Sequence, residues 1–346
     1  MPRGIILTKR NKKNDKFNPE NERAKYKYRV HLRRALKRDE KTIIAALKHI
    51  REYEIFMDFA RFDKFNEHIA DKYISYLSKA DLSLSFINDN IRNLRDFLRW
   101  LERQRGYKSK INYNHIDYLN LTTNQRNTAK ASEYKKSYKI EQILTAIRAM
   151  HAKTDKDKRD RAIISLQALC ALRVDELRAV KIKSIIEEDE QYFVYVSPKD
   201  MGVKFAKTRH AHFLPLPKEI TDNVITWRDY LLSIGFTAND PLFPKIDNRF
   251  GKDNFLEKSV SRVGIKSNTT IRDIFKKAFT AIGLEYLRPH SFRHTWARFA
   301  ETQSPEFLNT VRQCLGHDSI DTTLSSYGQS SLADQRRVIG NMRIFN

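Results

Sequence analysis

The chain has 346 residues, and 40% of them are hydrophobic, which is enough for two domains that each have a core. Lys and Arg number 65 against 42 Asp and Glu, so the formal net charge is +23. A charge of that sign attracts polyanions and favours nucleic acid as a partner. An anionic membrane is the alternative, but the sequence has no run of about 18 apolar residues and no signal-peptide pattern. The two cysteines, Cys170 and Cys314, are too few for a disulfide framework or a thiolate zinc site and favour a reducing cytoplasm.

Residues 1–40 are strongly basic, with 14 Lys and Arg against 5 Asp and Glu. They are predicted to form a basic N-terminal extension. Two interpretations of it stay open: a solvated tail, or an arm that lies along DNA phosphates and raises the affinity in a salt-dependent way. For the second interpretation the candidate DNA-binding residues include Lys12, Lys13, Arg33 and Arg34.

Residues 41–106 are predicted to form a helical domain. Apolar residues at spacings of three and four run from Ile43 to Tyr53. The clearest helix follows Ser85, a suitable N-cap, and ends before Gly106. The faces outside its apolar stripe carry three further candidates for DNA binding, namely Arg92, Arg95 and Arg99.

Residues 107–130 are polar and lack periodicity, which predicts a linker, and a second domain follows over residues 131–346 with a C-terminal tail. Most of this domain has helical spacing. Between Gln191 and Leu216 the pattern changes to strands, at Tyr192–Val196 and Phe213–Pro215. Helices are predicted again at Thr226–Leu232, Thr270–Ile282, Ser291–Thr302 and Pro305–Leu315. The predicted fold class is therefore mainly α with a small β-sheet.

Four short stretches of the second domain carry residues suited to chemistry. They are ALRVDEL (171–177) with Arg173 and Glu176, AKTRHAHFLPL (206–216) with Lys207, RPHSFRHTWA (288–297) with His290 and Arg293, and LGHDSIDTTLSSYG (315–328) with His317 and Tyr327. Taken singly, such residues are more often surface or core groups than catalysts. His290 and His294 stand four apart, but the zincin pattern requires Glu directly after the first His. Ser291 is there instead, so no metal site is expected.

Taken together, the order Arg, Lys, His-x-x-Arg, His, Tyr resembles the signature boxes of the tyrosine recombinase (phage integrase) family. Ser83–Leu101 is also similar to the last long helix of that family's N-terminal core-binding domain, and Asn239–Pro244 to a segment often found before the third box. The resemblance covers about residues 41–330. It departs from the family pattern at Cys170-Ala171, where Thr-Gly is usual, and at His210 and His212, where Arg or Lys is frequent.

The resemblance implies a helical core-binding domain (41–106) and an α+β catalytic domain (131–346) that form a C-shaped clamp on DNA. The implied activity is site-specific DNA recombination through a 3′-phosphotyrosine and a Holliday junction. Implied partners are double-stranded DNA with a specific recombination site, further copies of the chain in a homo-tetramer, and accessory DNA-bending or directionality proteins. We expect a cytoplasmic, nucleoid-associated protein of bacterial or mobile-element origin.

The resemblance gives each matching position a role: Tyr327 the nucleophile, Arg173 and Arg293 the phosphate clamp, Lys207 the general acid for the 5′-oxygen, His290 the acceptor or relay of the tyrosine proton, and His317 a further donor to the phosphate. Glu176 would orient Arg173 from behind, or would be an ordinary carboxylate of the helix surface. No cofactor is expected, because a phosphotyrosine keeps the energy of the broken phosphodiester. The chain also lacks a GxxxxGK[ST] phosphate loop and a two-metal carboxylate cluster.

Within the family, the basic extension favours an integrase of a mobile element over a chromosome-dimer resolvase. Two other classes stay open at this point. A type IB topoisomerase shares the chemistry but relaxes supercoils without pairing DNA partners, and a DNA-binding protein with an inactive site would share only the charge.

Overall fold

The structure is a computed structural model that describes residues 16–80, 82–130, 136–201, 208–250 and 256–316. The chain divides into two compact units between Ala131 and Ser132. No helix within the described ranges combines the length and the apolar character needed to cross a bilayer. Of the predicted DNA-binding residues, Lys12 and Lys13 lie outside the described residues.

The described part of the first unit is entirely helical. It contains α1 (Pro19–Arg34), α2 (Glu40–Phe56), α3 (Glu67–Ser78), α4 (Leu84–Glu102), α5 (Tyr113–Ile116) and α6 (Thr123–Lys130). One aromatic-rich core joins them, in which Tyr53, Phe62 and Phe97 are almost fully buried. Helix α4 is capped by Ser83, whose hydroxyl accepts from the Phe86 N–H at 3.2 Å, two residues before the predicted cap.

Helix α1 belongs to the packed unit, so the prediction of an extension over residues 1–40 is wrong for residues 19–34. Its buried side contains Ala24, Tyr28 and Leu32, spaced four apart, and the Tyr28 ring lies 5.1 Å from that of Phe97. This stripe is only one residue wide and sits in a highly charged segment, which is why composition alone suggested a tail.

The predicted linker also packs, at least as far as Leu121. Ile111, Ile116, Leu119 and Leu121 are buried in the core of the first unit. These buried residues follow no helical or strand period, which is why the segment had no signal of a packed element. The predicted boundary at residue 106 is therefore too early, and the first unit continues through α6.

The second unit is built around one helix, α8, which is buried on almost every side. The helices of this unit are α7 (Ile140–Ala149), α8 (Asp155–Cys170), α9 (Val174–Ala179), α10 (Pro198–Met201), α11 (Lys218–Ser233), α12 (Asn268–Thr280), α13 (Ser291–Glu301) and α14 (Pro305–Leu315). From Ala162 to Cys170 every residue of α8 is buried. Its low polarity over that stretch is what allows neighbours on all sides. Both cysteines are free and buried in this unit.

Two small antiparallel sheets complete the second unit. The first has the order β1 (Ile185–Glu188), β2 (Gln191–Val196), β3 (Arg209–His212), and the second is the hairpin β4 (Pro244–Phe250) and β5 (Leu256–Gly264). The prediction of a mainly helical fold with a small sheet is confirmed. Strand β3 ends at His212, one residue before the predicted strand, and the β4–β5 hairpin was not predicted.

The register of the first sheet decides which way Arg209 points. Val196 pairs with Arg209, and Val194 pairs with Ala211. Because side chains alternate along a strand, Arg209 and the buried Ala211 share the inner face, whereas His210 and His212 lie on the exposed face. Arg209 is thereby directed towards α9, which carries Glu176, and towards the end of α14.

Candidate active site

A tight turn after α8 places Arg173. Helix α8 ends at Cys170, and Ala171 adopts a left-handed conformation with φ +44°, which reverses the chain before Arg173, the N-cap residue of α9. The buried Gln167 side chain donates to the Leu172 carbonyl at 3.0 Å and to the Pro289 carbonyl at 3.1 Å. One amide therefore fixes the first box against the turn that precedes α13.

Glu176 lies one helical turn after Arg173 and is held by two arginines. Its Oε1 accepts from Arg173 Nη1 at 3.0 Å and from Arg209 Nη1 at 2.9 Å. Its Oε2 accepts from Arg209 Nη2 at 2.6 Å and from the Arg173 backbone N–H at 2.8 Å. Its side chain is only 2% exposed, so Glu176 is not a carboxylate of the helix surface.

The charge of Glu176 is strongly favoured in this position. Burial by itself raises the pKa of a carboxyl, but the hydrogen bonds and positive charge of Arg209, together with Arg173, outweigh it and lower the pKa of Glu176 to about 2. The carboxylate is therefore ionised throughout the physiological range. It compensates part of the positive charge that two neighbouring guanidinium groups bring to the site.

Three arginines converge on the C-terminal end of α14. The last carbonyls of a helix lack partners within the helix and carry partial negative charge, which suits cationic donors. The pairs are Arg209 Nε with the Cys314 carbonyl (2.9 Å), Arg293 Nη2 with the Leu315 carbonyl (2.6 Å), and Arg173 Nη2 with the Gly316 carbonyl (3.3 Å). Arg173 of the first box, Arg209 of the second and Arg293 of the third are thus all hydrogen-bonded to the backbone where the fourth box begins.

Gly316 is required by both its backbone and its surroundings. It ends α14 in the left-handed region with φ +69°, where glycine is strongly preferred. A Cβ atom at this position would lie 2.9 Å from Arg209 Cδ, which is closer than real Cβ contacts. The absence of a side chain therefore lets Arg209 reach both Glu176 and Cys314.

His290 and Arg293 differ in accessibility. His290 is exposed in the turn before α13, and its ring centroid lies 5.3 Å from that of the buried His294. Arg293 is fully buried and also donates from Nη1 to the Ala171 carbonyl at 2.9 Å. Within the described ranges, no group of three or more His, Cys, Asp or Glu side chains lies together in a way that would hold a metal ion.

The structure thus brings together Arg173, Glu176 and Arg293. The Gln167 side chain also binds Pro289, the residue before His290, next to the first box. Lys207, His317 and Tyr327 lie outside the described residues. In the sequence, however, Lys207 stands two residues before Arg209, and His317 directly follows Gly316.

Sequence reasoning missed Arg209 and Gln167. Arg209 stands in the second box, but the resemblance drew attention only to the lysine there. Gln167 offered a usable signal, because it is the one amide in the apolar run Ala162–Leu172, and buried polar groups are normally hydrogen-bonded. No local signal identified Arg209, since its partners are far away in the chain.

Four of the five described arginines that were predicted to bind DNA have a partner within the first unit. Arg95 donates to Asn120 at 2.7 Å, and Arg99 contacts Asp117 at 2.9 Å. Both links hold the segment after α4. The remaining described candidates are Arg92, which pairs with Asp89, Arg33, which pairs with Glu40, and the exposed Arg34. Exposed ion pairs contribute at most about 1 kcal/mol, so a phosphate would compete with them effectively.

Comparison with known proteins gives one consistent picture. The model of the phage integrase family matches residues 136–333, a range that contains every residue of the candidate active site. A tyrosine recombinase of Pseudothermotoga lettingae is 23% identical over 301 residues, which are 86% of this chain and 89% of that protein.

Two solved structures share the fold. The XerH site-specific recombinase bound to a palindromic difH substrate, a post-cleavage complex, has a TM-score of 0.60 and 16% identity and is matched over 91% of this chain and 83% of its own. A lambda integrase tetramer bound to a Holliday junction has a TM-score of 0.59 and 17% identity, with 86% of this chain and 77% of its own covered. At these identities the two structures show that the fold is shared.

Proposed function

The chain is a tyrosine recombinase of the phage integrase family, and we propose that it breaks and rejoins specific DNA sites through a covalent 3′-phosphotyrosine intermediate. The observation that carries this proposal is the convergence of Arg173 and Arg293 on the end of α14. The segment that contains His317 and Tyr327 begins at the next residue. Two guanidinium groups and the proposed nucleophile are thereby linked through one short stretch of backbone.

The proposed first step is a transesterification in which bonds are exchanged one for one. The Tyr327 oxygen attacks the scissile phosphorus and forms a P–O bond, while the bond between phosphorus and the 5′-oxygen breaks. The phenol proton passes to His290, and the departing 5′-oxygen takes a proton from Lys207. Rejoining is the reverse reaction with a new 5′-hydroxyl, so neither step consumes a nucleotide.

Arg173 and Arg293 would stabilise the charge on the non-bridging oxygens in the transition state. Planar guanidinium forks match pairs of phosphate oxygens better than an ammonium group does. Loss of one comparable arginine in phosphoryl transfer lowers the rate by on the order of 10³–10⁵. Arg173 is 27% exposed, whereas Arg293 is fully buried, so Arg173 is the more accessible of the two to a phosphate.

At the level of assembly, we propose a homo-tetramer that pairs two duplexes and exchanges strands through a Holliday junction. The similarity to the lambda integrase tetramer on such a junction supports this proposal. The first unit would act as the core-binding domain and close a clamp on DNA with the catalytic unit. Its basic residues, and the overall charge of +23, favour contact with phosphates. The biological role we propose is integration and excision of a mobile element, with accessory DNA-bending or directionality proteins.

The test is covalent capture on lightly nicked genomic fragments from the source organism, in EDTA. A nick near the cleaved bond lets the short product diffuse away, so the phosphotyrosine accumulates. DNA that stays attached after SDS is sequenced for wild type and for Tyr327→Phe. We expect fragments that share an inverted repeat, recovered only when Tyr327 is present.

The other outcomes separate the alternatives. Attachment at scattered positions without a shared repeat would indicate topoisomerase-like relaxation. Tight DNA binding with no attachment would indicate an inactive DNA-binding protein. Repeats that flank the gene of this chain would support the mobile-element role, whereas a single chromosomal repeat elsewhere would contradict it.

A further inference from the structure

Arg209 has no role among those that the family resemblance assigns, and we propose that it is a positioning residue of the recombination reaction. It would act through Glu176 and through the end of α14. It would thereby set the orientation of the Arg173 guanidinium and the position of Gly316, after which the segment with His317 and Tyr327 begins. This inference rests on the proposed function, because it assigns Arg209 to the same reaction.

First, Arg209 holds the Glu176 carboxylate in one orientation, because the carboxylate cannot rotate unless both of its bonds to Arg209 break. Four donors occupy its two carboxylate oxygens, and two of these donors belong to Arg209, at 2.9 and 2.6 Å. The other two belong to Arg173, one from the side chain and one from the backbone. Because the pair of Arg209 and Glu176 is bidentate and only 10% and 2% exposed, water competes poorly for it. Arg209 therefore fixes the orientation of Glu176, and Glu176 in turn fixes the orientation of the Arg173 guanidinium.

The second argument is the planarity of the guanidinium group. Arg209 uses all three nitrogens in one plane: Nη1 and Nη2 bind the Glu176 carboxylate, and Nε binds the Cys314 carbonyl at 2.9 Å. A rigid plane with partners on two edges fixes their mutual distance and angle. Helix α14 and the Glu176 carboxylate are therefore held in one geometry. A lysine has a single charged point and would not provide this.

The third argument is the place of Arg209 in the sheet. It is the first residue of β3 and pairs with Val196 of β2. The proposed general acid, Lys207, stands two residues earlier in the sequence. The side chain that orients Arg173 thus also fixes the start of the strand that follows Lys207 in the sequence.

A purely structural role would predict loss of stability without any change in the pH dependence of the reaction. A positioning role predicts more. The pKa of Glu176 is raised by burial and lowered chiefly by Arg209, so removal of Arg209 raises it. Glu176 then takes up a proton as the pH falls and releases Arg173. The rate of the variant relative to wild type should therefore decline towards acidic pH.

The experiment measures single-turnover formation of the covalent complex at saturating protein, between about pH 5.5 and 8. The substrate is a nicked duplex with the repeat recovered by capture. Arg209→Met is expected to slow cleavage about 10- to 100-fold, as small misplacements of reacting groups do, with the Kd for DNA nearly unchanged. The ratio of variant to wild-type rate should fall further with falling pH. Arg209→Lys should behave in the same direction and keeps the test open if Arg209→Met does not fold.

Two controls separate position from stability. Arg178→Met removes a partly buried arginine that belongs to the same helix as Glu176 but whose hydrogen bonds go to Asn268 at 3.1 Å and to the Ile265 carbonyl at 3.3 Å. It should lower stability without changing the pH profile. In a Glu176→Gln background, Arg209→Met should add little further loss and no pH dependence, because the two residues act as a unit.

The outcomes are distinct. If the folded Arg209 variants cleave at wild-type rates, or if their loss is independent of pH, the positioning role is overturned while the recombinase proposal stands. If wild type forms no Tyr327-dependent covalent complex, the proposed function itself fails. Additive losses for Arg209→Met and Glu176→Gln would also contradict the inference, since they would show that Arg209 does not act through Glu176.

Discussion

Replacement of Glu176 by Gln removes one charge and keeps the shape of the side chain. The pKa of Glu176 is about 2 in the folded protein against 4.5 for an ordinary glutamate. At about 1.36 kcal/mol for each tenfold difference in proton affinity, the ionised carboxylate stabilises the fold by about 3 kcal/mol at neutral pH. Since the folded-state pKa is the lower one, this stabilisation is complete above about pH 4.5 and is lost as the pH falls towards 2.

The measurement is urea unfolding of wild type and Glu176→Gln at pH 7, 4 and 3. A Trp100→Phe background leaves Trp227 and Trp296 as the only tryptophans, so the fluorescence reports on the second unit. Glu219→Gln is the matched control, because the ion pair of Glu219 with Arg148 has a short distance of 2.6 Å but is exposed.

We expect the variant to lose about 3 kcal/mol at pH 7, clearly less at pH 3, and the control to change little at any pH. The reasoning would be refuted by a loss below about 1 kcal/mol at pH 7, or by a loss of the same size at pH 7 and pH 3. The first result would mean that the arginines gain as much from the amide as from the carboxylate. The second would mean that packing, and not charge, is responsible.

Two further predictions concern backbone conformation. Gly316→Ala should destabilise the second unit by about 1–3 kcal/mol more than Gly283→Ala. Both glycines have positive φ, +69° and +76°, but only at Gly316 would the new Cβ meet Arg209 Cδ; equal losses in parallel urea titrations would contradict this. Glu190→Gly should raise the stability by about 1 kcal/mol, because Asp189 and Glu190 adopt φ of 49° and 62° in the two-residue turn between β1 and β2, where glycine is preferred. A thermal melt checks it, and a lower melting temperature would count against the argument.

The elements that sequence reasoning predicted well are those with strong local signals. Helix α14 has the predicted bounds, Pro305–Leu315, because Ser304 caps it, a proline begins it and Gly316 ends it. Strand β2 extends only one residue beyond the predicted Tyr192–Val196 and is built from aromatic and β-branched residues. In both cases the local preference and the tertiary packing agree.

The elements that it missed bury few side chains or bury them without a period. Helix α1 contributes one narrow stripe to its core. The β4–β5 hairpin mixes charged residues with single apolar ones, and in its described part Lys245 and Val263 are exposed. Val260 of the hairpin packs against the core, but apolar and polar residues do not alternate regularly along either strand, so the sequence carried no clear pattern to detect.

For the candidate site, the order of the boxes was enough to nominate Arg173, Glu176 and Arg293, which the structure brings together. It did not decide whether Glu176 was buried, because that depends on Arg209 and on the end of α14. Arg209 itself lies 33 residues from Glu176 and 105 residues from Cys314. Partnerships over such distances follow from the fold and have no signature in a single sequence.

The carboxyl end of α14 also has a consequence for the order of events during folding. Its carbonyls are held from positions 143, 105 and 22 residues away in the chain. Contacts that close such large loops form late, after the surrounding elements have met. A newly made or partly unfolded chain therefore has no organised pair of arginines at the carboxyl end of α14. Under the proposed function, this ties the ability to cut DNA to the completion of the fold.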